Sequence, residues 1–317
     1  MPIYDATPSN IAMAARALRA GELVAFATET VYGLGADATN AEAVAKIFAA
    51  KQRPRFNPLI VHIADAGSAR DFAQFSPLAE TLANAFWPGP LTLVLPLTPT
   101  AKIPDLTVAG LSTVAVRVPS HPIAQRLIAA AGCPVAAPSA NISGHVSATT
   151  AAHVAEDFGA TVGVVLDAGP CAHGLESTII DATGTDPVIL RHGAVTGGQI
   201  TKATGRRLLQ KTDATARPSA PGQLASHYAP GCPVRLNVRS VKDGEALLAF
   251  GPQPLPHTGV TENLSAAGDV KEAAINLFAA LRRLDRIATT GIAVMAIPDQ
   301  GIGSAINDRL RRAAAPR

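Results

Sequence analysis

The sequence predicts a mixed α/β (α+β) fold in two parts: a larger N-terminal unit on a twisted, partly antiparallel sheet, and a smaller C-terminal α/β unit. Three observations predict it. Over residues 1–210, short apolar runs of strand length are interleaved with helical periodicity, without a clean strand–helix repeat. Residues 211–232 break this pattern with a small, polar, proline-interrupted stretch that reads as a linker. Strand and helix signals then resume over residues 233–317.

Each element has its own signal. Ile11, Ala14, Ala15 and Leu18 recur at helical spacing, with Ser9 or Asn10 as the expected cap. Residues 23–26 read as a buried strand, and Thr28-Glu-Thr-Val-Tyr-Gly-Leu-Gly35 as a turn rich in hydroxyls and glycine. Residues 40–50 make an alanine-rich helix, 59–63 a strand, and 77–86 a helix stopped by Trp87-Pro-Gly-Pro90. Strands follow at 91–96 and 113–118, a helix at 121–131, a strand at 135–137 and a helix at 149–158. Residues 162–167, 177–181 and 188–190 close this unit as strands. Beyond the break, 234–238, 246–250 and 292–297 read as strands. Residues 270–285 form an amphipathic helix, with Ala273, Leu277, Leu281 and Leu284 on one face. Residues 304–315 form a basic helix.

Composition narrows the function. Of the 317 residues 48% are apolar, enough for a core without disulfide or metal staples. Lys and Arg number 27 against 24 Asp and Glu, a net charge of +3 that is too weak for a nucleic-acid-binding face, so any phosphate site is local. Cys133, Cys171 and Cys232 form no C-x-x-C pair, against a disulfide framework or a cysteine-rich zinc site. The first residues lack an apolar signal core, and no apolar run nears the roughly 18–20 residues that span a bilayer. A cytoplasmic location is expected.

Several polar residues sit where a sheet would expose them. Lys51, Arg53 and Arg55 put three cations into five residues ahead of an apolar strand. They suit a clamp on phosphate oxygens, or equally a solvated helix end. His62 and Arg117 each lie inside an apolar strand, and such an Arg needs a carboxylate or phosphate partner. Thr28, Thr30 and Tyr32 share one side if their segment is extended. Ser139 and Asn141 follow a strand end, suited to phosphate or ribose and also to turns. Glu176-Ser177-Thr178 and Leu190-Arg191-His192-Gly193 repeat the theme. Gly33-Leu-Gly35 is not a dinucleotide fingerprint, and no Walker A sequence occurs. Together these residues suit charge stabilisation of a phosphoryl or nucleotidyl transfer.

The motifs Thr28-Glu-Thr-Val-Tyr-Gly-Leu-Gly35, Lys51-x-Arg53, Asn57-Pro-Leu, His62, Phe86-Trp-Pro-Gly-Pro-Leu-Thr92, Val116-Arg117-Val-Pro119, Pro138-Ser-Ala-Asn141-x-Ser-Gly144, Glu176-Ser-Thr178 and Arg191-x-Gly193 closely resemble the YrdC-like family of L-threonylcarbamoyladenylate synthases. The resemblance spans residues 8–200, and Ser219-x-Pro-Gly followed by His227-Tyr-x-Pro230 matches the long, two-domain type. It implies a YrdC-like catalytic domain at 1–210, a linker or lid at 211–232, and a smaller Rossmann-like C-terminal domain at 233–317. It also implies a nucleotidyltransferase that makes threonylcarbamoyl-AMP and pyrophosphate from ATP, L-threonine and bicarbonate or CO₂. The product would pass to the transferase machinery that modifies adenosine in tRNA. Neither stable nucleic-acid binding nor membrane association is expected.

Carried over by position, the resemblance gives Thr30, His62, Arg117 and Ser177 to L-threonine, with Arg117 on the α-carboxylate. Lys51 and Arg53 become the catalytic clamp on the phosphates, with Mg²⁺ accompanying ATP and no metal ligand from protein side chains. Asn57, Ser112, Ser139, Asn141, Thr149 and Arg191 join them around ATP, and His227 and Tyr228 belong to the lid. Two departures stand out: Ala27 precedes Thr28 where relatives commonly have proline, and no cation lies between Gly222 and His227. Rival classes fit less well. A carbamoyl-adenylate-forming maturation factor would carry an acylphosphatase-like segment and zinc fingers. An RNA-binding module would want more than 4% aromatics, and a redox Rossmann protein would want the glycine fingerprint.

Overall fold

The computed structural model describes residues 2–210, 218–288 and 290–316. Its first sheet contains β1 (Ile3–Asp5), β2 (Val24–Phe26), β3 (Gly33–Asp37), β4 (Ile60–His62), β5 (Leu91–Pro96), β6 (Thr113–Arg117), β7 (Val135–Ala136), β8 (Val164–Asp167), β9 (Thr178–Asp181), β10 (Val188–Arg191) and β11 (Leu209–Gln210). They are ordered β1-β8-β2-β3-β7-β4-β6-β5-β9-β10-β11, with parallel and antiparallel pairs mixed as expected. The helices are α1 (Pro8–Arg19), α2 (Ala41–Lys51), α3 (Pro77–Phe86), α4 (Asp105–Val108), α5 (Pro122–Ala131), α6 (Ala151–Phe158) and α7 (Gly197–Thr204).

Two local expectations need correction. The cap of α1 is Thr7, whose hydroxyl accepts from the Asn10 amide, and Pro8 opens the helix with no amide to leave unpaired. The second half of the Thr28–Gly35 run is a strand. Gly33 and Gly35 sit in β3; at Gly35 a Cβ would meet Phe26 and Val135 at 2.8 and 2.9 Å, so only glycine fits there.

Unequal cover on the two faces of the sheet creates the site. One face carries the main core, including Leu34, Ile47, Val61, Leu82, Leu93 and Val116. On the other, α1 and α5 cover β2, β7 and β8 through Leu18, Phe26, Leu127, Val135 and Leu166. His62 pairs with Val135 and with Arg117, so both polar side chains emerge on this second face beyond the edge of the helix pair. Further along the same face, Ile60, Val94, Ala115, Ile179 and Leu190 are closed over by Ala220 from the segment after Gln210.

A second sheet contains β12 (Val234–Arg235), β13 (Glu245–Ala249), β14 (Thr261–Asn263) and β15 (Gly291–Val294), ordered β12-β15-β13-β14 and all parallel. Helix α8 (Val270–Ile287) packs on it, and α9 (Gly303–Ala313) packs on α8. The apolar face of α8 also buries Val31, Val146 and Leu175 of the first unit. Arg282 crosses the same seam to grip Asp157 with both Nη atoms, at 3.0 and 2.6 Å. At Gly174, φ is +68° and an added Cβ would lie 2.5 Å from the Ile275 backbone, so only glycine lets the two chains approach there.

Candidate active site

The turn before β3 builds one wall of the cavity. Thr28 Oγ1 accepts the amides of Thr30 and Val31 and reaches the Val31 carbonyl at 2.6 Å, which locks the turn. Thr30 Oγ1 is then presented to Arg117 Nη1 at 2.9 Å. Tyr32 goes elsewhere: its hydroxyl donates toward Asp167 and Gly169, because the segment turns rather than runs extended.

Arg117 is buried and meets Glu29 at 2.6 Å in an ion pair. Burial alone would raise the Glu29 pKa, but the Arg117 charge outweighs it and holds the carboxyl at about 2. His62, beside Arg117, is pushed down to about 3 by burial and then by that guanidinium, so its ring is neutral. Its Nδ1 has no hydrogen-bond partner among the described residues. Ser177 Oγ lies 2.7 Å from Thr92 Oγ1 and accepts from Arg191 Nη2 at 3.1 Å.

Three other cations converge with no acid to match them. Lys51, at the end of α2, is buried, and its Nζ donates to the carbonyls of Ser139 (2.6 Å) and Asn141. Arg53 donates to the Asn57 carbonyl at 3.1 Å and the Pro58 carbonyl at 2.7 Å. Arg191 donates to the Ser177 carbonyl at 3.1 Å and toward Pro221. Among the described residues, no carboxylate reaches ion-pair distance of any of the three. Burial opposes the charge on each, reinforced at Lys51 by Arg53 and at Arg53 by Arg191. Unpaired buried cations are costly, and an anion is the chemical complement that offsets the cost.

The segment after residue 217 roofs the cavity. Gly222 has φ +85° and lies against Arg191, where a Cβ would come 2.8 Å from Cδ. His227 and Tyr228 are buried with their rings 4.0 Å apart, and Tyr228 stacks on Phe278 of α8. Burial and then Arg53, Lys51 and Arg191 keep the His227 imidazole neutral. The free space left under this roof is about 40 Å³, room for a few waters but not for a nucleotide. Residues 211–217 of the expected linker lie outside the described residues.

Thr30, Arg53, His62, Arg117, Ser139, Ser177, Arg191, His227 and Tyr228 therefore line one cavity. Lys51 and Asn141 support its wall, and Asn57 is buried beneath Arg53 with its side-chain amide unpartnered among the described residues. Thr149 is buried beside His153 and does not line the cavity. Ser112 is exposed just before β6, at the end of that strand remote from Arg117. Strand alternation gives the cavity face to Thr113, Ala115 and Arg117 instead. Arg55 is exposed and separate from Lys51 and Arg53.

Sequence reasoning gave no role to Glu29, Glu176, Gly222 or Arg309. Arg309 had a usable signal. It falls on the same face of α9 as Ile306, Leu310 and Ala313, which marks an inward-facing cation.

Comparisons with known proteins place the chain in a family. The Sua5/YciO/YrdC family model, described as telomere recombination, matches residues 16–193. A model described as the threonylcarbamoyl-AMP synthase C-terminal domain matches residues 195–315. The threonylcarbamoyl-AMP synthase of Bacillus subtilis is 42% identical, over 97% of this chain and 94% of its own. The chain belongs to the threonylcarbamoyl-AMP synthase family. The Pyrococcus abyssi synthase is 43% identical over 97% of this chain and 95% of its own. The structure of P. abyssi Sua5 complexed with L-threonine superposes with a TM-score of 0.91 at 40% identity, covering 99% of this chain and 98% of that one. A variant of the same protein with an adjacent His and Tyr both changed to Ala also gives 0.91, at 38% identity over 99% and 96% of the two chains. Adjacent His and Tyr occur in this family member only at His227–Tyr228.

Proposed function

We propose that this chain is an L-threonylcarbamoyladenylate synthase, a nucleotidyltransferase that converts ATP, L-threonine and bicarbonate or CO₂ into threonylcarbamoyl-AMP and pyrophosphate for tRNA modification. One observation carries the reading. Lys51, Arg53 and Arg191 form a buried cationic group with no carboxylate at ion-pair distance among the described residues, directly beside a recess edged by Thr30, His62, Arg117 and Ser177. The first feature complements a triphosphate and the second an amino acid. The threonine complex of the P. abyssi relative supports the second assignment.

The chemistry follows from this arrangement. Arg117 takes the α-carboxylate of threonine, while Thr30, Ser177 and neutral His62 satisfy its polar groups. The unprotonated amine attacks CO₂ to form a carbamate, and a carbamate oxygen attacks the α-phosphorus in line, with pyrophosphate leaving. Lys51, Arg53 and Arg191 stabilise charge that grows on the phosphate oxygens. The apolar patch of Ile60, Val94, Ala115, Ile179 and Leu190 is the candidate seat of the adenine. Mg²⁺ would arrive with ATP. The residues around the triphosphate are cations, so phosphate oxygens and water, rather than side chains, would hold it. The roof formed by Gly222, His227 and Tyr228 must open for ligands and then exclude water from a carbamate that water destroys.

Pyrophosphate release from ATP tests the reading. Release that requires both threonine and bicarbonate is the expected result. Release indifferent to threonine, or tight salt-sensitive tRNA binding without ATP, would overturn it.

A further inference from the structure

We propose that Arg309 of α9 is a positioning residue for this site, so that the C-terminal unit helps to assemble the catalytic cavity. The inference rests on the functional reading above. It extends that reading to a residue that touches none of the substrates.

Arg309 is completely buried, the largest side chain among the described residues that are shielded to this degree. Each of its three guanidinium nitrogens has a partner. Nε donates to Glu176 Oε2 at 2.9 Å, Nη2 to the His192 carbonyl at 2.8 Å, and Nη1 to Asp308 Oδ2 at 2.7 Å. Its carbon centre also lies 5.1 Å from the centroid of the Tyr228 ring. The other Glu176 oxygen is held by Ser147 Oγ at 2.5 Å.

The location of these partners carries the argument. Glu176 precedes Ser177, His192 follows Arg191, and Tyr228 follows His227. One guanidinium therefore ties together the threonine wall, the phosphate wall and the roof, three segments distant in sequence. A planar fork can satisfy three such directions at once, whereas an ammonium can meet the charge but not the geometry. Neighbouring bonds carry the same connection outward. Arg312 Nη1 donates to the Leu224 carbonyl at 2.5 Å, and the His227 amide donates to the Arg312 carbonyl at 3.2 Å.

The test uses the full-length chain and three variants: Arg309→Lys, Arg309→Met, and Arg309→Met combined with Glu176→Gln. The double variant removes both buried charges, so it remains foldable if Arg309→Met alone does not. Melting temperature, hydrogen exchange, and kcat and KM for threonine and ATP are measured on each folded variant. The expected result is that Arg309→Lys and the double variant keep most of the melting temperature. Both should show faster exchange at residues 176–178, 191–193 and 219–228, and should lose at least about tenfold in kcat/KM for threonine. Wild-type exchange in those segments, or wild-type kcat/KM in either variant, would overturn the proposal. If the wild-type chain releases no pyrophosphate, the functional reading falls, and the exchange pattern still decides whether Arg309 organises the three segments.

Discussion

Arg117 and Glu29 form a buried ion pair at 2.6 Å, with side chains only 4% and 7% exposed. The Arg117 charge, a hydrogen bond from its guanidinium and the backbone at Glu29 and Ser120 together outweigh the cost of burying the carboxylate. Replacing Glu29 by Gln should therefore leave an uncompensated buried cation and cost about 3–5 kcal/mol. The pair also sets an acid response. The folded pKa of Glu29 lies at about 2, below the ordinary value of 4.5. Its stabilisation is thus complete above pH 4.5 and is lost as pH falls toward 2. Acid titration of melting temperature should show this loss in the wild type, and a smaller slope in Glu29→Gln. Equal slopes would mean that Glu29 is already neutral.

Lys51 and Arg53 predict a different signature. Each is buried with no carboxylate at ion-pair distance among the described residues, so removing either should abolish most pyrophosphate release, by about 100-fold or more, while the fold persists. Inorganic triphosphate should raise the wild-type melting temperature by offsetting the buried charge, and should raise it less in Lys51→Ala and Arg53→Ala. Normal turnover in both variants would remove the clamp from the mechanism.

These two cases show what the sequence made legible. A cation or a histidine inside an apolar strand, as at Arg117 and His62, stands out because alternation fixes its side of the sheet. Lys51 and Arg53 stood out by density, but not their separation from exposed Arg55. That depends on Gln52 adopting a left-handed cap at the end of α2, which redirects the chain. Tyr32 would share a side with Thr28 and Thr30 only in an extended segment, and the Thr28-centred turn sends it to Asp167 instead. Glu29 and Glu176 sat within recognised motifs, but their roles depend on partners 88 and 133 residues away. Local pattern cannot supply such pairings. The strands at Ile3–Asp5 and Leu209–Gln210 escaped for a related reason: each is two or three residues long and exists through pairing with a remote neighbour.

Gly222 offers a test of the roof that needs no charge change. Its φ of +85° disfavours any side chain, and a Cβ would meet both Arg191 Cδ and the Tyr228 hydroxyl. Gly222→Ala should cost about 1 kcal/mol or more through backbone strain and shift Arg191. Both KM for ATP and kcat should worsen, while Ala at Gly251, which has φ +90° but open space around it, should change stability alone. Equal kinetic effects at the two positions would show that the roof does not depend on close packing over Arg191.

Deleting residues 213–317 gives the widest test. The C-terminal unit covers Val31 and Leu175, whose neighbours Thr30 and Glu176 line the cavity. Without α8, those apolar side chains face water, and each exposed residue costs about 1.5–3 kcal/mol. Without α9, Glu176 loses Arg309, and without the segment after residue 217 the cavity loses its roof. Residues 1–212 should therefore bind 8-anilinonaphthalene-1-sulfonate more strongly than the full chain and release little or no pyrophosphate. Full activity in residues 1–212 would show that the walls hold their geometry unaided, and that the C-terminal unit serves something other than this reaction.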